Sequence, residues 1–265
     1  MAVRIIISPA KKMNVDTDSL PWRELPQFLP EAERLRTALR KLSYDELKAL
    51  WGCNDKLAAL NYERLQAMEL EKRLTPALLS YEGLQYRYMA PSVFTYAELD
   101  YVQEHLRVLS GFYGLLRPFD GVAPYRLEMQ ANLSVDGYKD LYAFWGSRLA
   151  QQLLSESDTI LNLSSKEYSK VVTPYLPPQT RFVTCVFAVQ KDGKLLEQGS
   201  LCKMARGGMV RFLAERQSCT PVEATQFDRL GFRFHAELSN ETTYTFVKED
   251  AHARTRNKSP RLYPA

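Results

Sequence analysis

Cysteine and histidine are scarce in this chain of 265 residues, and neither is patterned. The four cysteines, Cys53, Cys185, Cys202 and Cys219, form no C-x-x-C pair, and His105, His235 and His252 lie far apart with no H-x-x-x-H spacing. Zinc centres draw their ligands from short Cys and His spacings, so these residues predict reduced, mostly buried thiols, with no metal and no cofactor. Long apolar runs are missing too. Only Ile5, Ile6 and Ile7 stand between Arg4 and Ser8-Pro9, too few for the core of a signal peptide. The longest uncharged apolar-rich stretch, Phe182 to Gln190, is far short of a membrane span. These absences predict a soluble, cytoplasmic protein with no membrane partner. Charge of one sign is lacking as well: 35 basic against 31 acidic residues leave +4. Such a balance permits an anionic partner without demanding one, because only clustered charge focuses a field. There is no internal repeat and no low-complexity linker.

The composition is that of a globular protein, 45% hydrophobic and 25% charged, with 15 tyrosines and 12 phenylalanines. Ala2 to Ile7 is apolar and β-branched on both faces, the pattern of a buried strand, and ends in the loop Ser8-Pro9-Ala10-Lys11-Lys12. Asn14 to Pro30 lacks periodicity and reads as a surface loop. Glu31 to Leu42 predicts an amphipathic helix with Leu35, Leu39 and Leu42 inward. Thr75-Pro76 opens another by cap and proline, with Gly83 after its end, and Thr95 caps a third with Leu99, Val102, Leu106 and Leu109 inward before Gly111. Lys139 to Leu154 is helical, Thr159 to Leu163 a strand, and Ser164 a cap for a helix behind it. Arg181 to Gln190 and Leu195 to Leu201 flank Asp192-Gly193, a hairpin signal. A basic helix spans Lys203 to Arg216, Thr220-Pro221 starts another, and Phe232 to His235 and Thr243 to Lys248 close as strands. Strands scattered among helices without a break predict one mixed α/β domain over 1–249. The basic stretch 250–265 reads as a disordered tail.

Two constellations carry possible chemistry. In Tyr44 to Gln66, Leu47 and Leu50 make one apolar stripe, and Leu57, Ala58, Leu60 and Leu65 a second, interrupted by Gly52-Cys53-Asn54-Asp55. Two short helices joined by a Gly/Asn turn predict a helix-hairpin-helix. Gly52 and Asn54 enter the left-handed region cheaply, and small Ala58 lets the helices approach. The N–H groups opening the second helix then offer a phosphate site beside Lys56. The motif resembles the DNA-binding Gly-apolar-Gly pattern, with Asn54 where the second glycine is usual. An ordinary helical hairpin packed on the core is the alternative, and the local charges are mixed.

The second constellation is Ser110 to Asp120 followed by Pro124 to Met129. Arg117 and Arg126, beside Tyr113 and Tyr125 on glycine-shaped loops, could grip a phosphate and stack on a base. Alternatively Arg117 pairs with Asp120, and Arg126 with Glu128, to staple the loops.

Together these blocks resemble the YaaA family of bacterial peroxide-stress proteins. The matching residues are Ile7-Ser8-Pro9-Ala10-Lys11, the S-G-x-Y-G-x-L-R-P-x-D run at Ser110 to Asp120, and P-Y-R-L-E-M at Pro124 to Met129. Lys139-Asp140-Leu141-Tyr142 with Phe144-Trp145, Asn162-Leu163-Ser164 with Glu167-Tyr168, and Lys203 with Ala205-Arg206-Gly207 complete the set. The order and spacing hold from position 3 to about 248, with a departure at Arg87-Tyr88-Met89, where the family has a Gly-Leu step after Tyr86. The resemblance implies a cytoplasmic protein that protects against hydrogen peroxide by keeping free iron low. It also implies a single α/β domain with a helix-hairpin-helix beside a basic cleft, binding duplex and distorted DNA. Six cations fall in the matched motifs: Lys11, Arg117, Arg126, Lys139, Lys203 and Arg206. Their convergence on one cleft would make a nucleic-acid footprint read by backbone and distortion rather than base sequence. The alternative is an enzyme acting on a base or nucleotide, glycosylase- or lyase-like, with Lys11 or Lys203 as nucleophile and Glu128 or Glu167 as acid-base partner.

Overall fold

The computed structural model describes residues 3–191 and 193–249. Asp192 of the expected hairpin turn and the basic tail from Asp250 lie outside the described residues. Eight strands form one mixed sheet: β1 (Arg4–Ile7), β2 (Leu106–Ser110), β3 (Gly114–Leu116), β4 (Thr159–Asn162), β5 (Arg181–Lys191), β6 (Lys194–Leu196), β7 (Phe232–Phe234) and β8 (Thr243–Glu249). Their order is β7-β8-β5-β4-β1-β2-β3, with β6 paired to β5. The five central strands, β8, β5, β4, β1 and β2, run parallel, and β3, β6 and β7 are antiparallel to their neighbours. β1 sits between β4 and β2, with Ile5 opposite Leu161 on one side and Leu106 on the other. Both its faces are covered, which is why Ile5, Ile6 and Ile7 are all fully buried and read as an unbroken apolar run after Arg4.

From β1 the chain proceeds to its neighbour β2, whereas from β4 it proceeds the other way, to β5. The connections therefore diverge between β1 and β4. In a parallel sheet such a switch point leaves a crevice beyond the carboxyl ends of the two strands.

The helices are α1 (Leu29–Arg40), α2 (Tyr44–Trp51), α3 (Asp55–Ala67), α4 (Ala77–Ser80), α5 (Leu84–Met89), α6 (Tyr96–His105), α7 (Leu141–Trp145), α8 (Arg148–Glu156), α9 (Lys166–Ser169) and α10 (Gly199–Arg216). Several depart from expectation. α1 starts two residues earlier than Glu31, taking Pro30 into its first turn. Thr75-Pro76 pairs with Gly121-Val122 as a two-residue ladder before the single turn α4. Thr95 caps α6 with a reciprocal bond to Glu98, but the helix ends at His105. Leu106 and Leu109 belong instead to β2, where all five residues are buried. Leucines three apart fit a helix face, but full burial between two strands decides for the sheet. The helix over Lys139 to Leu154 is two helices, broken at Gly146 with φ +50° and ψ −134°. Ser164 does not cap α9: its hydroxyl donates to Asn162 Oδ1 at 2.7 Å, and Ser165 stands at the cap position. Arg87-Tyr88-Met89 continues α5 rather than turning, and left-handed Ala90 closes it. The strand over Leu195 to Leu201 is short, because α10 begins at Gly199.

Candidate functional site

A cavity of about 370 Å³ occupies the switch-point crevice, lined by residues that follow β1 (Ser8 to Lys12) and β4 (Ser165, Glu167, Tyr168). The remaining wall comes from Glu82 to Tyr86 around α5, from Tyr125 to Glu128, and from Lys203 and Arg206 of α10. The two strand ends are tied together, since Leu163 N donates to Ile6 O at 2.9 Å and Ser165 N to Ser8 Oγ at 2.9 Å. Tyr86 adds a hydroxyl bond to Ser8 O at 3.1 Å.

Segment 125–128 is fixed from below. Tyr125 Oη lies 2.7 Å from Ser110 Oγ and 2.8 Å from Tyr81 Oη. A Cβ on Gly111 would come within 2.6 Å of Leu127 O, so only glycine lets this segment lie so close. The Ser110-Gly111 motif thus acts through the loop it supports. α5 and α10 meet in the same way: a Cβ on Gly207 would stand 2.0 Å from Gln85 O. That contact sets Gln85 and Arg206 on adjacent walls.

Lys11, Arg126, Lys203 and Arg206 all line the cavity, together with Glu128 and Glu167. Lys11 Nζ pairs with Glu128 Oε2 at 2.7 Å, and Arg126 lies 3.7 Å from the other carboxylate oxygen. Burial pushes the Glu167 carboxyl above its ordinary range, with Glu128 adding to the effect and Lys11 opposing it. Burial also lowers Arg206 and pushes the Tyr125 phenol up to about 12. Gln85 Nε2, Arg126 Nε and Arg206 Nε are buried without hydrogen-bond partners.

Arg117 and Lys139 are not among the lining residues. Arg117 staples its own loop: its N–H and Nε bond the Asp120 carboxylate at 2.9 and 3.1 Å, and it pairs with Glu24. Lys139 is exposed elsewhere. The α2–α3 pair forms as expected, but its turn differs. Gly52 is left-handed (φ 52°, ψ 49°), whereas Asn54 is extended (φ −72°, ψ 166°) and caps α3, accepting from Leu57 N at 3.0 Å. Asn54 therefore acts through its side chain and not through left-handed backbone. Leu57 and Leu60 are exposed, and Ala58, Asn61 and Leu65 face inward. Gly52, Asn54 and Lys56 are exposed outside the cavity, to which the pair is linked where Arg126 donates to Trp51 O at 3.2 Å.

Gln85 escaped the sequence reading; the signal for it was the Gly207-Gly208 pair inside a helix, which flags a close backbone approach. His235-Ala236-Glu237 is an H-x-E triplet, but its imidazole bonds Glu237 itself at 2.8 Å. Among the described residues no group of three His, Cys, Asp or Glu side chains could hold a metal ion, and no helix is long and apolar enough to cross a membrane.

Residues 3–238 match the family described as peroxide stress protein YaaA. The chain belongs to that family. It is 52% identical to a UPF0246 protein of Lachnoclostridium phytofermentans, over 96% of this chain and 100% of the relative. A UPF0246 protein of Pediococcus pentosaceus is 48% identical over 94% of this chain and 100% of its own length. One from Desulfitobacterium hafniense is 50% identical, covering 93% and 98%. The peroxide-stress assignment thus extends over the cavity, since every lining residue falls within the matched range.

Proposed function

We propose that this peroxide-stress protein works in the cytoplasm by binding DNA, duplex or distorted, through the backbone rather than the base sequence. Its help in keeping free iron low is exerted without an iron site of its own. The observation that carries this reading is the meeting of Lys11, Arg126, Lys203 and Arg206, from three separate stretches of chain, at one crevice. Cations gathered at a concavity focus a field that scattered ones do not. The α2–α3 pair stands alongside as a helix-hairpin-helix, its exposed turn at Gly52-Asn54 and Lys56 offering N–H groups and a charge to a neighbouring phosphate. Lys11 is exposed and salt-bridged and Lys203 is exposed, the opposite of the desolvated surroundings that make a lysine nucleophilic, so the geometry favours binding over lysine-based lyase chemistry. The test is to measure affinity for duplex and bubble DNA of unrelated sequences across a salt series. Sequence-independent binding should weaken along a log-log line, with slope about −0.9 per phosphate neutralised. Absence of binding at low salt, or a strong sequence preference, would overturn the reading.

A further inference from the structure

The cavity holds more unmatched polarity than a backbone contact needs. Gln85 is 6% exposed and the Arg126 side chain 9%, yet Gln85 Nε2, Arg126 Nε and Arg206 Nε have no partner. Of the seven buried side-chain polar atoms in that condition among the described residues, these three share one cavity. An unpaired buried donor is costly, so three in the walls of one cavity favour a ligand rich in acceptors. The same cavity also carries acceptors, Glu128 and Glu167. Glu128 is matched by Lys11, but Glu167 accepts the Gln130 N–H at only 3.4 Å, leaving it room for an N–H from a ligand. Tyr86, Tyr125 and Tyr168 line the same cavity.

Size narrows the ligand further. The cavity's 370 Å³ equals the share of about a dozen waters in the liquid. Inorganic phosphate would leave most of it empty, and a duplex cannot enter. We infer that the cavity receives a single nucleotide unit, with its phosphate and ring acceptors on Gln85, Arg126 and Arg206, a ring N–H on Glu167, and its plane against the tyrosines. The inference deepens the DNA reading. The nucleotide is either free or one unstacked from distorted DNA, and the recognising chemistry is the same for both.

The experiment uses the full chain and the variants Gln85→Met and Arg206→Met, with thermal melts as the folding control. Both donors already lack partners in the protein, so the variants should stay folded. Arg206→Lys, which keeps the charge and removes Nε, replaces Arg206→Met if that variant melts early. Calorimetric titration compares nucleoside monophosphates, the matching nucleosides and inorganic phosphate. A second arm follows 2-aminopurine emission at the unpaired position of a bubble duplex. For a free nucleotide, at least one monophosphate should bind about tenfold more tightly than its nucleoside or phosphate, and each variant should lose about tenfold, as expected for a charged hydrogen bond. For a nucleotide within DNA, the emission should change with the wild type and not with the variants, while paired-duplex affinity holds in Gln85→Met, which leaves the four cations in place. No response to Gln85 or Arg206 in either arm overturns the inference, as does inorganic phosphate binding as tightly as the monophosphates. Wild type failing to bind paired duplex would instead count against the DNA reading alone.

Discussion

At Gly207 the chain has no room for a methyl group, whereas one residue later it has. A Cβ on Gly207 would overlap the Gln85 carbonyl, while one on Gly208 would meet Leu230 and Phe227 at 3.6 Å, an ordinary contact. Gly207→Ala should therefore cost about 1–3 kcal/mol through overpacking, with a fall in melting temperature. Gly208→Ala should be neutral or stabilising, by up to about 1 kcal/mol of helix propensity. Equal melts for the two variants would contradict the close packing of α5 on α10. Glu167 gives a test in pH. Its carboxyl is raised above the ordinary 4.5 by burial, so the fold prefers the protonated acid. Its contribution to stability is complete below 4.5 and is lost as pH rises through the folded value. Glu167→Gln should consequently melt at or above wild type near neutral pH, with that advantage vanishing below 4.5. A variant uniformly less stable at every pH would show that the ionised carboxylate is held by favourable contacts instead.

At the scale of elements, the α2–α3 turn assigns different roles to two residues that look alike in sequence. Gly52 alone is left-handed, and a Cβ there would touch nothing within 4 Å, so Gly52→Val acts through backbone strain. Asn54→Asp should keep the cap, while Asn54→Val should lose it, at about 1 kcal/mol. Lys56→Glu should leave the melt unchanged and weaken DNA binding. If folded Gly52→Val and Lys56→Glu bind DNA as wild type does, the turn does not touch the DNA. Much of this level was legible in the chain itself: the capping of α6 by Thr95, the apolar run Ile5 to Ile7 of β1, the existence of the two helices α2 and α3. Misreadings arose where one pattern served two structures. Leu106 and Leu109 sit at helical spacing but belong to a fully buried strand, and Leu57 and Leu60 fit an apolar stripe that faces solvent.

Across the whole molecule, the candidate site was legible as residue types and not as a place. Lys11, Arg126, Lys203 and Arg206 come together only because β1 and β4 are neighbours whose connections diverge, a relation no local pattern encodes. Arg117 and Lys139 carried the same sequence signal and stand elsewhere. This divides the six cations and gives the most direct measurement: DNA affinity and its salt slope for Lys203→Glu, at the cavity, against Lys139→Glu and Arg254→Glu, all making the same change in net charge. Lys203→Glu is expected to weaken binding by about tenfold or more and to flatten the slope by about 0.9 for each phosphate it ceases to neutralise, with the other two close to wild type. Equally weakened binding in all three variants, or unchanged binding in Lys203→Glu, would contradict the placement of DNA at this crevice.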